Sequence, residues 1–224
     1  MQREFWLERW QRNEIGFHQQ EFNMHLQEFW RHLKLAPRGP VFVPLCGKSR
    51  DMLWLRAQGH PVVGVEISAL ALGDFFTEHG LTPQRIHRPP FDLWRADGID
   101  LLCGDFFDLK PSDLAGIAAV YDRASLIALP PPLRARYAAR LVELLPPGVE
   151  MLLVTMEYAQ GQMQGPPFSV TEEEVRALYA RYYQVEALYT KDILGENPRF
   201  RERGLAHLVE RVYRLHAIRN AETG

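Results

Sequence analysis

The chain has few cysteines, no long apolar run and no excess of charge of either sign. Its 224 residues include two cysteines, which are too few for the disulfide framework of a small secreted protein. No apolar run approaches the roughly 20 residues that a membrane-spanning helix needs, and the opening MQREFWLERW is too polar for a secretory signal. Lysine and arginine number 26 against 28 aspartates and glutamates, whereas a dedicated nucleic-acid binder needs a basic surface. We therefore expect a cytoplasmic protein that binds neither nucleic acid nor membrane.

The length and apolar content of the chain predict a single domain with a large core. Hydrophobic residues make up 46% of the sequence, and no linker, repeat or low-complexity stretch divides it. Aromatic residues are concentrated at the N-terminus, where seven lie within the first thirty positions. A tail without a role is poor in such residues, so this segment must pack against core, ligand or partner. Apolar side chains at helical spacing predict one helix over 17–35.

Short apolar runs alternate with helical patterns along the rest of the chain. The runs predict seven strands, at residues 41–43, 61–66, 99–103, 117–122, 149–156, 182–191 and 206–217. Helices are predicted at 49–58, 69–79, 133–145 and from Thr171 onward. This alternation predicts an α/β fold with a doubly wound, mostly parallel sheet. The last two strands have no helical pattern between them and are expected to pair antiparallel at one edge, and residues 85–98 can add a small hairpin.

The strand ends carry the residues suited to binding a ligand, because ligands of doubly wound folds lie at the carboxyl ends of the strands. Glu66 ends the second strand, 19 residues after Gly47, and a carboxylate there can accept hydrogen bonds from the cis hydroxyls of a ribose. Asp105 ends the third strand, where an adenine would lie, although a lone acid there can equally cap a helix. The turn after the first strand has one glycine and matches neither G-x-G-x-x-G nor a phosphate loop. A nucleoside without phosphates fits best, and S-adenosylmethionine is the common cofactor of that description.

Two other functions stay open on these residues. A nicotinamide-dependent oxidoreductase would bind its ribose through Glu66 equally well, although the single-glycine turn and the late strand pair count against it. A protein that only binds a nucleoside is the third possibility, but it would not explain why several residues suited to chemistry converge at the strand ends. Titration with S-adenosylmethionine and with NAD separates the two enzyme classes.

The histidines and cysteines do not predict a metal site. His18, His25 and His32 recur every seven residues, but seven helical residues span about 10 Å, which is too far to share one ion. Cys46 and Cys103 fall on the first and third strands, which the second strand would separate, and we expect both to be core thiols.

Several motifs in the same order resemble the thiopurine S-methyltransferase family, bacterial members included, over essentially the whole chain. The motifs are VFVPLCGKSRDMLWLRAQGHPVVGVEIS at 41–68, YDRASLIAL at 121–129, GPPF at 165–168, and Trp10 followed by Phe17 and His18. The resemblance implies a class I, Rossmann-like methyltransferase fold, with a mostly parallel seven-stranded sheet and an antiparallel last strand. It implies one domain over 1–224, in which 1–36 form a helical cover and 40–218 form the α/β core. Bacterial members are also associated with methylation of selenium and tellurium compounds.

The resemblance also implies roles for individual residues. Those implied to bind the cofactor S-adenosylmethionine are Trp10, Leu45, Gly47, Glu66, Asp105, Phe106 and Arg123. Those implied to contact the acceptor are Phe17, Pro166 and Arg203. The segment before residue 17 and the loop over 159–168 can both fold over the site and exclude water.

The chemistry implied by the family asks for positioning more than for acid–base catalysis. A sulfonium methyl is already activated, so its transfer to a thiol, thione or selenol is an in-line displacement that needs alignment and desolvation. Arg123 and Arg203 are the candidates for favouring the anionic acceptor, because a guanidinium stays charged and does not accept protons. We expect a monomer that acts on a small-molecule thiol without a metal.

Overall fold

The computed structural model describes residues 3–16, 18–35 and 38–218. Nine strands lie within these ranges: β1 (Val41–Val43), β2 (Val62–Glu66), β3 (Gln84–Arg88), β4 (Phe91–Ala96), β5 (Ile99–Cys103), β6 (Ala119–Arg123), β7 (Glu150–Glu157), β8 (Tyr183–Asp192) and β9 (Val209–Ala217). The helices are α1 (Arg3–Gln11), α2 (Met24–Phe29), α3 (Asp51–Ala57), α4 (Ala69–Glu78), α5 (Pro131–Leu144), α6 (Glu172–Tyr179) and α7 (Pro198–Glu202). None of the helices in these ranges has the length and apolar character needed to cross a bilayer.

The nine strands form one sheet in the order β3-β4-β5-β2-β1-β6-β7-β9-β8. The central strands β5, β2, β1, β6 and β7 are parallel neighbours. Strands β4 and β9 run in the opposite direction, so that the two outer pairs at each edge are antiparallel. The prediction of an α/β fold with a mostly parallel sheet and an antiparallel pair at one edge is confirmed.

The predicted count of seven strands is too low by one hairpin. The small hairpin predicted at residues 85–98 is present, since these residues form most of β3 and β4, which pair antiparallel beside β5. Arg85 lies over the Trp94 ring, 3.6 Å from its centroid, while Phe91 and Leu93 are buried. Strand β3 is exposed on nearly all its residues, and such an edge strand has little apolar signal to detect.

Helices cover both faces of the sheet, as the alternating pattern predicts. On one face Tyr137 of α5 and Tyr179 of α6 belong to one buried cluster. On the other face Leu26 of α2, Leu55 of α3 and Phe75 of α4 belong to a second cluster. Each face therefore has its own core, and the sheet is buried between them.

The predicted helix over 17–35 is wrong at its start. Helix α2 begins at Met24, because the Asn23 side chain accepts hydrogen bonds from the backbone N–H groups of His25 and Leu26. Residues 18–22 are not helical, and a short 3₁₀ turn over Trp30–His32 follows α2. The apolar periodicity reports burial of one side of the segment, but it does not mark where the cap lies.

The two cysteines lie on either side of β2, as their strand positions predict, but only Cys46 is fully buried. Cys46 is buried in the turn after β1, and Cys103 ends β5. Gly64 in β2 leaves room for this packing, since a Cβ there would lie 2.7 Å from Leu101 Cδ2 and 2.8 Å from Cys46 Sγ. Both cysteines are free thiols.

Candidate active site

A cavity of about 380 Å³ opens at the carboxyl ends of the parallel strands. Its walls come from the turn after β1, the ends of β2, β6 and β7, and the start of β9. The N-terminal segment contributes Trp6, Arg9 and Trp10, and the region of α7 contributes Arg199 and Arg203. The topology explains this convergence, because parallel strands with crossover helices bring their following loops to one edge of the sheet.

The turn after β1 brings backbone close to the cavity. Leu45 and Gly47 both have positive φ, at 43° and 52°. A Cβ on Gly47 would lie 3.1 Å from Trp10 Cζ2, so glycine allows the indole ring to pack directly on the turn. Trp10 is 5% exposed and lines the cavity with both turn residues. The structure thus brings together three of the residues predicted to bind the cofactor.

Glu66 lies at the end of β2 with its carboxylate against the same turn. The Gly47 N–H donates to Oε2 at 3.0 Å, and the Ser68 N–H donates to Oε1 at 2.9 Å. Burial raises the pKa of Glu66 to about 6, against the backbone hydrogen bonds that favour its ionised form. Each carboxylate oxygen can accept a further hydrogen bond. A buried acid fixed in this way at the cavity wall fits the two hydroxyls of a ribose.

Arg123 is held by a buried aspartate that the sequence patterns did not single out. Asp51 is fully buried at the start of α3, and its Oδ2 lies 2.9 Å from Arg123 Nη2. Tyr121 donates its hydroxyl to the same oxygen at 3.0 Å, and the Asn23 N–H donates to Oδ1 at 2.8 Å. Burial and the Asp51 carboxylate raise the pKa of Tyr121 well above its ordinary value, so Tyr121 remains a donor. Asp51 therefore connects α2, α3 and the end of β6 beneath the cavity.

The opposite wall is formed around α7. Arg203 directly follows this helix, is exposed, and has no ion-pair partner within the described ranges. Pro166 also lines the cavity. Arg199 also lines it and donates to the Gly16 carbonyl at 2.7 Å, which connects α7 to the N-terminal segment. Arg199 was missed because a short helix between β8 and β9 has no clear apolar pattern.

Asp105 and Phe106 are not among the described residues that line the cavity. The Asp105 carboxylate accepts the Phe107 N–H at 2.9 Å and so caps a 3₁₀ turn. Phe106 is buried against Tyr137, with 4.8 Å between ring centroids. Their contact with an adenine stays a prediction. Phe17, predicted to contact the acceptor, lies outside the described residues.

The three histidines at seven-residue spacing have separate surroundings. His18 lines the cavity, and burial together with the nearby Lys48 ammonium lowers its pKa. His25 is buried in a contact with Glu210, whereas His32 is exposed. Lys48 is nearly buried and donates to Glu78 at 2.6 Å. Lys48 and Glu210 also line the cavity. Lys48 lies within the motif at 41–68 but is assigned no role by it, and none of the motifs includes Glu210.

Comparison with known proteins places this architecture in a family. The family model described as thiopurine S-methyltransferase (TPMT) matches residues 1–218. A thiopurine S-methyltransferase of Nitrosospira multiformis is 54% identical over 215 residues, covering 96% of this chain and 98% of the relative. Another from Pseudomonas fluorescens strain Pf0-1 is 50% identical over 218 residues, covering 97% of this chain and 100% of the relative.

Solved structures of other methyltransferases share the fold at low sequence identity. A 1,6-didemethyltoxoflavin-N1-methyltransferase of Burkholderia thailandensis, with S-adenosylhomocysteine bound, superimposes with a TM-score of 0.62 at 17% identity, covering 96% of this chain and 86% of that one. An S-adenosylmethionine-dependent methyltransferase of Anabaena variabilis gives 0.63 at 14% identity, covering 96% and 95%. These structures establish the fold alone. With a family model matching nearly its full length and relatives that share half of its residues, the chain belongs to the thiopurine S-methyltransferase family.

Proposed function

We propose that this protein transfers a methyl group from S-adenosylmethionine to the sulfur of a small aromatic or heterocyclic thiol. The observation that carries the proposal is the Glu66 carboxylate, buried at the cavity wall and fixed by the backbone of a single-glycine turn. Family membership supplies the reaction type, and the relatives are named thiopurine S-methyltransferases. The cavity supplies a site of suitable size and polarity at the strand ends.

The cofactor would be held by residues on one side of the cavity. Glu66 accepts hydrogen bonds from the ribose hydroxyls, while Leu45 and Gly47 present backbone to the methionine part. Trp10 covers the turn and excludes water from it. When bound, S-adenosylmethionine supplies a methyl carbon activated by a positively charged sulfonium sulfur. Asp105 and Phe106 would contact the adenine. Because neither lines the cavity, the adenine would have to extend beyond the cavity to reach them.

The acceptor would lie between the cofactor side and the region of α7. The Arg203 guanidinium has no ion-pair partner within the described ranges, so its charge is available to favour an anionic acceptor. Arg123 shares its charge with Asp51 and is better suited to fixing an orientation than to attracting an anion. Pro166 and Phe17 would bound the acceptor ring. A selenol would be accepted on the same grounds, because it is a still softer nucleophile than a thiol.

The proposal also covers the N-terminal segment, the cellular location and the oligomeric state of the protein. Residues 1–36 act as a cover on the α/β core over 40–218 within one domain, and the loop over 159–168 covers the acceptor side. We place the protein in the cytoplasm, where its two free cysteines stay reduced. It acts as a monomer on a small molecule, and gel filtration would test this state.

Calorimetric titration and a methyl-transfer assay test the proposed function. We expect S-adenosylmethionine to bind and NAD not to bind. With thiophenol as acceptor, mass spectrometry should detect methyl phenyl sulfide in step with loss of the cofactor. Glu66→Ala should weaken cofactor binding about tenfold or more, since it removes a buried hydrogen-bonding carboxylate. Binding of NAD, or binding of the cofactor without any sulfide product, would contradict the proposal.

A further inference from the structure

The start of β9 places a carboxylate in the cavity that the proposed reaction does not use. Because β9 runs antiparallel to β7, its first residues lie at the carboxyl ends of the parallel strands. Glu210 is the second residue of β9, pairs in register with Met156 of β7, and lines the cavity. Its side chain is 14% exposed. Glu66, which also lines the cavity, has a proposed role toward the cofactor, whereas Glu210 has none, so we ask which part of the acceptor Glu210 can recognise.

Glu210 is held in place from behind by a buried histidine. His25 Nε2 lies 2.7 Å from Glu210 Oε2, and the His25 side chain is 1% exposed. The imidazole packs against the rings of Tyr189 and Phe29, at centroid distances of 4.5 Å and 6.0 Å. Two aromatic neighbours and one strong hydrogen bond fix the orientation of the ring and therefore of the carboxylate.

The surroundings of His25 indicate which of its two ring nitrogens carries the proton. His25 Nδ1 is buried and has no hydrogen-bond partner among the described residues. An orphaned buried N–H is rarer in proteins than an acceptor without a donor, so Nδ1 is the bare nitrogen and Nε2 carries the proton. His25 Nε2 then donates to Glu210 Oε2. This leaves Glu210 Oε1 as an acceptor for a ligand.

We propose that Glu210 selects acceptors that carry a ring N–H beside the reacting sulfur, by accepting a hydrogen bond from that N–H. The inference rests on the proposed function and names its substrate class, namely nitrogen heterocyclic thiols whose thiolate still has an N–H donor. Arg203 on the same cavity favours the negative sulfur, while Glu210 repels an anion that offers no donor. His25 is a positioning residue that keeps the carboxylate aimed at the cavity.

Two acceptors of the same bicyclic shape test this proposal. The thiolate of 2-mercaptobenzimidazole keeps one ring N–H, whereas that of 2-mercaptobenzothiazole has a sulfur in its place. In Glu210→Gln the amide oxygen can still accept from His25, which leaves an NH₂ donor facing the cavity. We expect this variant to lose about 10- to 100-fold in kcat/KM for the benzimidazole, mostly through KM. The benzothiazole should lose no activity and should gain up to about threefold, because glutamine removes the charge that repels its thiolate. Each variant rate is compared with the rate of the unmodified protein on the same acceptor, so the intrinsic reactivities of the two thiols cancel.

The remaining experiments distinguish failure of this inference from failure of the proposed function on which it rests. His25→Leu should lower the preference for the benzimidazole in the same direction, with thermal unfolding recorded to show that the protein is folded. Glu186→Gln, an exposed carboxylate on β8 outside the cavity lining, should leave both acceptors unchanged. An equal loss for both acceptors in Glu210→Gln would make Glu210 a proton acceptor or a structural group and overturn the proposal. Absence of methylation of both acceptors and of thiophenol by the unmodified protein would instead refute the proposed function.

Discussion

At the residue scale, Glu66 combines burial with a proposed role, binding of the cofactor ribose, that requires its ionised form. Burial raises its pKa to about 6, so the free protein holds a substantial fraction of protonated Glu66 just below neutral pH. Ribose hydroxyls donate hydrogen bonds, and they bind the carboxylate better than the acid. Binding therefore lowers the pKa of Glu66, and the affinity for the cofactor must fall as the pH falls through about 6.

This linkage predicts a specific pH dependence of cofactor binding. Between pH 7 and pH 5, the dissociation constant of S-adenosylmethionine should rise, with a limiting slope of about tenfold per pH unit. Titration calorimetry over this range measures the slope. Glu66→Gln should bind more weakly at pH 7 and show a flat profile, because it has no proton to exchange. An equal slope in both proteins would assign the titration to another group.

Asp51 is a fully buried carboxylate that holds the cavity-lining residue Arg123. The side chain of its partner Arg123 is 13% exposed, so removal of the carboxylate leaves a nearly buried positive charge without its ion-pair partner. Asp51→Ala should lower the free energy of unfolding by about 3–5 kcal/mol. Denaturant unfolding measures the loss, and the double variant Asp51→Ala with Arg123→Met should recover part of it. Losses that simply add in the double variant would show that the ion pair is not the cause.

The residues that sequence reasoning found differ physically from those that it missed. Glu66 and Gly47 occupy fixed places relative to a strand end, so their positions at the cavity follow from local pattern and topology. Asp51 acts through contacts with Asn23 and Tyr121, which lie 28 and 70 positions away in sequence. Glu210 meets His25 across 185 positions. Nothing in a single sequence reports such long-range pairings, whatever the quality of the local pattern.

At the scale of elements, the sequence predicted buried strands well and helix starts less well. Strand β5 has the predicted bounds, and β2 begins one residue later than predicted, because both are apolar runs bounded by turn signals. Helix α2 starts seven residues after its predicted start, since the partly buried Phe22 continues the apolar spacing through the non-helical segment before it. The exposed β3 and the short α7 lack an apolar pattern, and only packing against their neighbours defines them.

The cap of α2 is the element-scale feature that decides where this helix begins. Asn23→Ala removes the side-chain acceptor for two backbone N–H groups and should lower the free energy of unfolding by about 1 kcal/mol. Asn23→Asp keeps an acceptor at the same place and should lose much less. Chemical denaturation of the three proteins measures the difference. A loss in the aspartate variant as large as that in the alanine variant would exclude capping as the cause.

At the scale of the whole molecule, the N-terminal segment stands apart from the two cores of the sheet. No described residue of 3–16 belongs to either buried cluster, and Trp10 is the buried residue of α1. The same segment supplies several residues of the cavity wall and receives a hydrogen bond from Arg199 at Gly16. The aromatic side chains Trp6 and Trp10 of this segment therefore line the cavity and do not belong to either core cluster.

Removal of residues 1–16 should therefore affect binding more than folding. We expect the shortened protein to lose no more than about 3 kcal/mol of unfolding free energy, which is the scale of burying one large aromatic side chain. Its affinity for S-adenosylmethionine should fall about tenfold or more, because the turn holding Glu66 loses its cover and is hydrated.

Trp10→Ala in the full chain should reproduce most of the affinity loss, while Phe5→Ala, outside the cavity lining, should not. Thermal unfolding, calorimetry and the methyl-transfer assay on the same preparations distinguish the two effects. Normal methylation by the shortened protein would assign the segment to ordinary packing, because a cover that the reaction requires cannot be absent without cost to turnover.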